Sequence, residues 1–125
     1  MNRVISTPNA PKAIGTYSQA ILANGVLYLS GQIGVDPITM ELRSESFLTE
    51  AHQVFQNLKA VLEAAGGSLG HLVKMTVYLT DLNNFSALNE VMSHYMKAPY
   101  PARATVQVSA LPKSAAIEIE GIAVL

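Results

Sequence analysis

The sequence contains no cysteine and no tryptophan. Without cysteine there is no disulfide framework, no thiol nucleophile and no thiolate metal site. Charge is scarce as well. Asp, Glu, Lys and Arg make up 14% of the residues, whereas soluble domains usually carry about 25%. So little charge keeps less surface wet than a lone monomer needs, and a buried subunit face is the expectation. A compact monomer with a polar but uncharged surface is the competing explanation. The net charge of −1 lacks the basic excess of a nucleic-acid binder, so no nucleic-acid partner is expected. No apolar run approaches the ~18 residues that a membrane span needs, and the N-terminus lacks the apolar core of a secretory signal. A cytoplasmic protein with no membrane partner follows as an expectation. His52, His71 and His94 are scattered with no pair at metal-ligand spacing, so no metal is expected. There is no phosphate-binding loop, dinucleotide fingerprint or Gly-x-Ser-x-Gly elbow, and no cofactor is expected either.

What is present fits one domain over residues 1–125. A short strand at Arg3 to Ser6 is followed by β-rich runs at Tyr17 to Ala23 and Val26 to Ile33. Asn24-Gly25 between those runs is a strong hairpin signal, because both positions tolerate positive φ. Leu48, Ala51, Phe55, Leu58, Leu62 and Ala65 recur three and four apart and predict a helix with one apolar stripe. Ser46 is its expected N-cap, Glu50 suits its positive end, and Gly66-Gly67 stops it. Val73, Met75, Val77 and Leu79 alternate with polar residues as a half-buried strand. A second helix from about Asn84 turns Phe85, Leu88, Met92 and Tyr95 inward and ends before Pro99. Strands at Ala102 to Ala110 and Ala116 to Val124 close the chain. The order implies an α+β fold, a mixed six-stranded sheet with two helices on one face and the other face to be covered.

The last two strands hold the residues suited to chemistry. If they pair as a hairpin, with apolar faces in register, Arg103, Thr105, Glu118 and Glu120 share one side of the sheet. An exposed ion pair, worth about 0–1 kcal/mol, accounts for that placement as well as a site does. The functional alternative is more specific. An arginine fork grips a carboxylate through two parallel hydrogen bonds, and a nearby glutamate can deprotonate or orient water. Together they suit hydrolysis of a small carboxylate-bearing substrate.

Five blocks run the length of the chain: Ile14-Gly15-Thr16-Tyr17-Ser18-Gln19-Ala20, Ser30-Gly31-Gln32-Ile33, Asp81-Leu82-Asn83, Pro101-Ala102-Arg103, and Leu111-Pro112-Lys113 followed by Ile117-Glu118-Ile119-Glu120. In this order and spacing they resemble the signature of the Rid family. The resemblance implies a chorismate-mutase-like (bacillus type) single domain that assembles as a homotrimer with sites in clefts between neighbours. It implies hydrolysis of 2-aminoacrylate, 2-iminopropanoate and 2-iminobutanoate to 2-keto acids and ammonia, without a cofactor. A trimer that only senses 2-keto acids, or an RNA-directed endoribonuclease or translation inhibitor, is the alternative. By position, Arg103 matches the arginine that holds the substrate carboxylate, and Glu118 the acid that orients water. Gly31 matches the position whose backbone meets the ligand, with Ser30 in the same turn. Tyr17 and Asn89 match residues that complete the cleft from a neighbouring subunit, and Glu120 is structural. The chain departs from the pattern twice. Thr105 stands where many members carry cysteine; it keeps a hydroxyl that helps orient the substrate but removes thiol chemistry. Thr16 replaces a proline and leaves the Tyr17 loop less constrained.

Overall fold

Asn24 and Gly25 both adopt left-handed backbone, with φ of 52° and 77°, the conformation a two-residue hairpin turn requires. They join β2 (Ala20–Ala23) to β3 (Val26–Ile33) in the computed structural model, which describes residues 2–125. Strand β1 (Arg3–Ile5) adds antiparallel to β2. The run expected as strand from Tyr17 is irregular up to Gln19. There the buried Gln19 amide takes over the work of a ladder: its Oε1 accepts from Thr7 N at 2.7 Å, and its Nε2 donates to Thr7 O at 3.1 Å and Pro11 O at 2.8 Å.

Helix α1 (Phe47–Ala64) starts where Ser46 Oγ accepts from Thr49 N at 3.1 Å, and it ends at Gly66, whose φ of 90° lets Gly67 N reach Leu62 O at 2.9 Å. Strand β4 (Leu72–Leu79) follows, then helix α2 (Phe85–Tyr95), β5 (Ala102–Gln107) and β6 (Ile117–Val124). The six strands lie in the order β1-β2-β3-β6-β4-β5. All neighbours are antiparallel except β4 and β5, which run parallel. A parallel pair cannot be closed by a tight turn, and α2 supplies the crossover. Both helices pack on one face of the sheet, as expected from the element order. There Met75, Val77, Leu79, Ile117 and Ile119 meet Val54, Phe55, Leu58, Val61, Leu62, Leu88 and Val91, all buried.

Two expectations need correction. Leu48 was expected on the buried stripe of α1 and Val73 on the buried face of β4, yet both are exposed. In β4 a bulge between Leu72 and Lys74 turns Val73 outward and buries Leu72 instead. The larger correction concerns β5 and β6. They do not form a hairpin: β4 lies between them. Arg103 pairs with Met75, and Thr105 with Val77, so both point to the helix side. Glu118 pairs with Tyr78, and Glu120 with Thr76, and both point to the open side. The apolar row of β5, Ala102, Ala104 and Val106, faces outward with the glutamates. Val4, Tyr28 and Val124 are exposed on that same open face, which is therefore largely apolar.

Candidate active site

Arg103 lies on the edge strand β5, tilted onto α2. One guanidinium nitrogen donates to Asn89 Oδ1 at 2.8 Å and to Met92 Sδ at 3.5 Å. The guanidinium carbon sits 5.4 Å from the centre of the Phe85 ring, a cation–π contact. Phe85, Asn89 and Met92 are spaced four and three apart, so α2 presents all of them on one stripe. No carboxylate lies within ion-pair distance of Arg103 among the described residues. The arginine lines a cleft of about 380 Å³ with Asn89, Met92, Ser93, Tyr100 and Pro101. Two residues along the same face, the Thr105 hydroxyl is buried with no hydrogen-bond partner among the described residues.

The remaining expected site residues gather on the other side of the sheet. In β3 the register with β6 jumps from Leu29 opposite Gly121 to Gln32 opposite Ile119. Ser30 and Gly31 thus form a two-against-one bulge, which bends the strand and re-aims its side chains. Ser30 Oγ donates to Ser18 O at 2.5 Å and its backbone N to Gln19 O at 3.0 Å, tying the bulge to the Tyr17 loop. The Glu118 carboxylate lies directly over Gly31: a Cβ there would collide with Glu118 Oε2 and approach Cδ to 2.9 Å. Only glycine leaves room for this approach. Tyr17, Ser30, Gly31, Ile33, Pro112 and Glu118 line a cleft of about 350 Å³. A second cleft of about 380 Å³ shares Tyr17, Gly31, Ile33 and Pro112 and adds Lys12 and Lys113 at its wall.

Burial, and then repulsion from Glu120 on the same face, raise the pKa of Glu118 above the ordinary carboxylate value. A carboxyl raised in this way and set at a cleft is chemically suited to exchange a proton with a bound molecule. Tyr78, opposite Glu118, is also raised, by burial first and then by the Glu120 charge.

One chain therefore places the expected residues in two groups on opposite faces of the sheet. Arg103, Thr105 and Asn89 form the first; Tyr17, Ser30, Gly31 and Glu118 form the second. Asn89, expected to act across a subunit boundary, hydrogen-bonds the arginine of its own chain. Sequence reasoning missed the Phe85 and Met92 supports, read there as inward packing. An asparagine set between them at helical spacing was the available signal. It also missed a buried polar row on α1: Glu50, Gln53 and Asn57. Asn57 Nδ2 donates to Ile33 O at 3.2 Å and Val35 O at 2.9 Å, holding the chain just beyond the bulge.

A family model described as endoribonuclease L-PSP matches residues 7–125. The chain belongs to this family, the Rid proteins. Among solved Rid structures, RidA from the Antarctic bacterium Psychrobacter sp. is 55% identical and superposes with a TM-score of 0.96 over 98% of this chain and 99% of that one. Escherichia coli TdcF, crystallised with bound serine, is 43% identical with a TM-score of 0.94, covering 98% of each chain. The human 2-iminobutanoate/2-iminopropanoate deaminase is 48% identical over 99% of this chain and 90% of its own length. The Dermatophagoides farinae protein of the same name is 46% identical over 98% and 96%. The α+β architecture of Rid proteins, a six-stranded mixed sheet with two helices on one face, is the architecture of this chain.

Proposed function

We propose that the chain is a cytoplasmic deaminase that hydrolyses 2-iminopropanoate and 2-iminobutanoate, with their enamine tautomers, to 2-keto acids and ammonia. The observation that carries this reading is an arginine with no carboxylate partner of its own, held at the wall of a cleft by Asn89 and the Phe85 ring. A planar fork kept free in this way is suited to a carboxylate brought by the substrate. The names of full-length relatives supply the imine, and serine bound to the E. coli relative supports a small α-nitrogen carboxylate.

In this reading Arg103 grips the carboxylate, and Glu118 removes a proton from water as it attacks C2 of the imine. Glu118 returns that proton to the nitrogen of the resulting carbinolamine, and as the C2 hydroxyl gives up its own proton and closes to the carbonyl, the C–N bond breaks and ammonia leaves. The buried, unpartnered Thr105 hydroxyl is free to hydrogen-bond the substrate beside Arg103. Ser30, the Gly31 backbone, Tyr17 and Asn89 shape the walls. Because Arg103 and Glu118 face opposite sides of one sheet, the reading requires a second copy, in a homotrimer whose sites lie between neighbours. The apolar open face supports burial against those copies.

The decisive test combines turnover with complementation. An amino-acid oxidase generates the imine, and keto-acid release is followed with wild type, Arg103→Ala, Glu118→Gln and the two variants refolded together. Each variant alone is expected to fall at least about thirtyfold below wild type. The mixture is expected to recover about a quarter of wild-type activity, since random assembly gives that share of interfaces an intact arginine and glutamate. If wild type only matches the blank, the deaminase reading falls. If the mixture stays inactive while wild type works, the division of the site between copies falls.

Protonation adds a separate prediction. Water activation needs Glu118 ionised, so activity is expected to fall on the acid side as pH drops through its raised pKa. Removing the repulsion with Glu120→Gln is expected to move that limb to lower pH without changing the plateau, read from kcat against pH.

A further inference from the structure

Glu50 has no part in the chemistry above, yet its carboxylate is among the few buried in the molecule, at 4% exposure. It lies in the first turn of α1, on the helix side of the sheet, and no cation pairs with it among the described residues. A buried charge without a counter-ion survives only where strong donors meet it. Here the donors are backbone: Ala116 N donates to Glu50 Oε2 at 2.6 Å and the Ile117 N–H lies alongside, yet burial outweighs both and holds the carboxyl above its ordinary pKa. Ala116 immediately precedes β6 and Ile117 opens it, the strand that presents Glu118 on the opposite face one residue later.

The segment just before them needs an anchor. Lys113 and Ser114 are consecutive non-glycine residues with φ of 58° and 57°, a conformation that side chains rarely adopt and that surrounding structure must impose. Pro112 and Lys113 from this turn line the clefts beside Glu118. The same glutamate also meets the other wall. A Cβ on Gly34 would lie 2.6 Å from the Glu50 carbonyl oxygen and 2.7 Å from its Cγ, so the first turn of α1 rests directly on the chain leaving the Ser30–Gly31 bulge. Asn57, two turns further along α1, fixes the Ile33 and Val35 carbonyls of that same chain.

We propose that Glu50 is a positioning residue for Glu118: its buried carboxylate pins the left-handed Pro112–Ser114 turn and the start of β6 against the Gly31 bulge, so that the Glu118 carboxylate stays over Gly31. The proposal rests on the deaminase reading for its kinetic consequence, but its structural consequence can be measured without turnover.

The experiment compares wild type, Glu50→Gln and Glu50→Ala by kinetics and by NMR titration of the Glu118 carboxylate. Glutamine keeps an acceptor oxygen for Ala116 N–H, and alanine keeps none. Glu50→Ala is expected to lower kcat by about tenfold or more through misplacement of Glu118, while KM stays within about threefold because Arg103 holds the substrate elsewhere. Glu50→Gln is expected to keep kcat within about threefold of wild type. In Glu50→Ala the Glu118 titration is expected to fall back toward the ordinary 4.5 as the carboxylate leaves its buried seat, and in Glu50→Gln to stay raised. An unmoved Glu118 titration in folded Glu50→Ala overturns the proposal, as does a glutamine variant as impaired as alanine. If wild type itself shows no turnover, the deaminase reading fails while the titration still decides the role of Glu50.

Discussion

Arg103→Ala is expected to lower kcat/KM by about thirtyfold or more, corresponding to roughly 2–5 kcal/mol for stranding the substrate carboxylate in the cleft. The fold should survive. Arg103 sits on an edge strand, and the partners it leaves behind, Asn89 Oδ1 and Met92 Sδ, lie at a cleft that water reaches. Lysine is not a conservative replacement here. An ammonium cannot donate to Asn89, keep its cation–π contact with Phe85 and still offer two parallel hydrogen bonds to a carboxylate. Arg103→Lys is therefore expected to raise KM substantially, and steady-state kinetics on 2-iminobutanoate separates the two variants. Equal activity of Arg103→Ala and wild type would remove the arginine from the site.

Glu118→Gln is the second large effect. General acid–base groups contribute typically about 10²–10⁴-fold, and kcat is expected to fall by that order with little change in KM. The same substitution should not weaken the fold. Because burial and Glu120 raise the folded-state pKa of Glu118, the protonated form is the one that the fold favours. The stability this group contributes is complete below the unfolded value of 4.5 and is lost as pH rises through the folded value. At neutral pH the ionised glutamate works against folding, so the glutamine variant is expected to melt no lower than wild type there, with any gain vanishing in acid. Melting curves at neutral pH and at pH below 4.5 check the sign. A variant that loses activity while keeping or gaining stability behaves as a site residue, not a structural one.

Most of the fold was legible in the residues, because each element announces itself locally. Ser46 caps α1, Asn24-Gly25 turns the hairpin, and Gly66 stops the helix in the left-handed conformation. Partnership between strands is not local. Alternation shows which residues of β5 share a face, but not which strand lies beside it, and inserting β4 between β5 and β6 changes the neighbours without changing either pattern. The direction of the faces was misread for a related reason. Ala102, Ala104 and Val106 look like the core side, yet in an edge strand of a sheet whose outer face is itself apolar, the small apolar row goes outward. Arg103 and Thr105 then take the helix side. The buried row Glu50, Gln53 and Asn57 was hidden because polar residues on a helix count by default as its wet face; only the Ala116 N–H on Glu50, the Gln53–Asn57 side-chain bond and the Val35 carbonyl held by Asn57 reveal otherwise. Arg103, Thr105 and Glu118 were legible as candidates from strand patterning, whereas Tyr17, Ser30 and Gly31 were legible only through the family blocks, since no periodicity distinguishes them from other turn and loop residues.

The place of β6 in the sheet has a consequence for how the chain comes off the ribosome. It is the last strand in the sequence and it lies near the middle, pairing β3 on one side and β4 on the other. Until it emerges, the β1-β2-β3 and β4-β5 pieces have no common neighbour, and each carries an unpaired flank. Folding of the sheet must wait for β6, so the nascent chain passes through a stage with two sticky margins exposed. The scarcity of charge offers those margins little electrostatic protection at that stage.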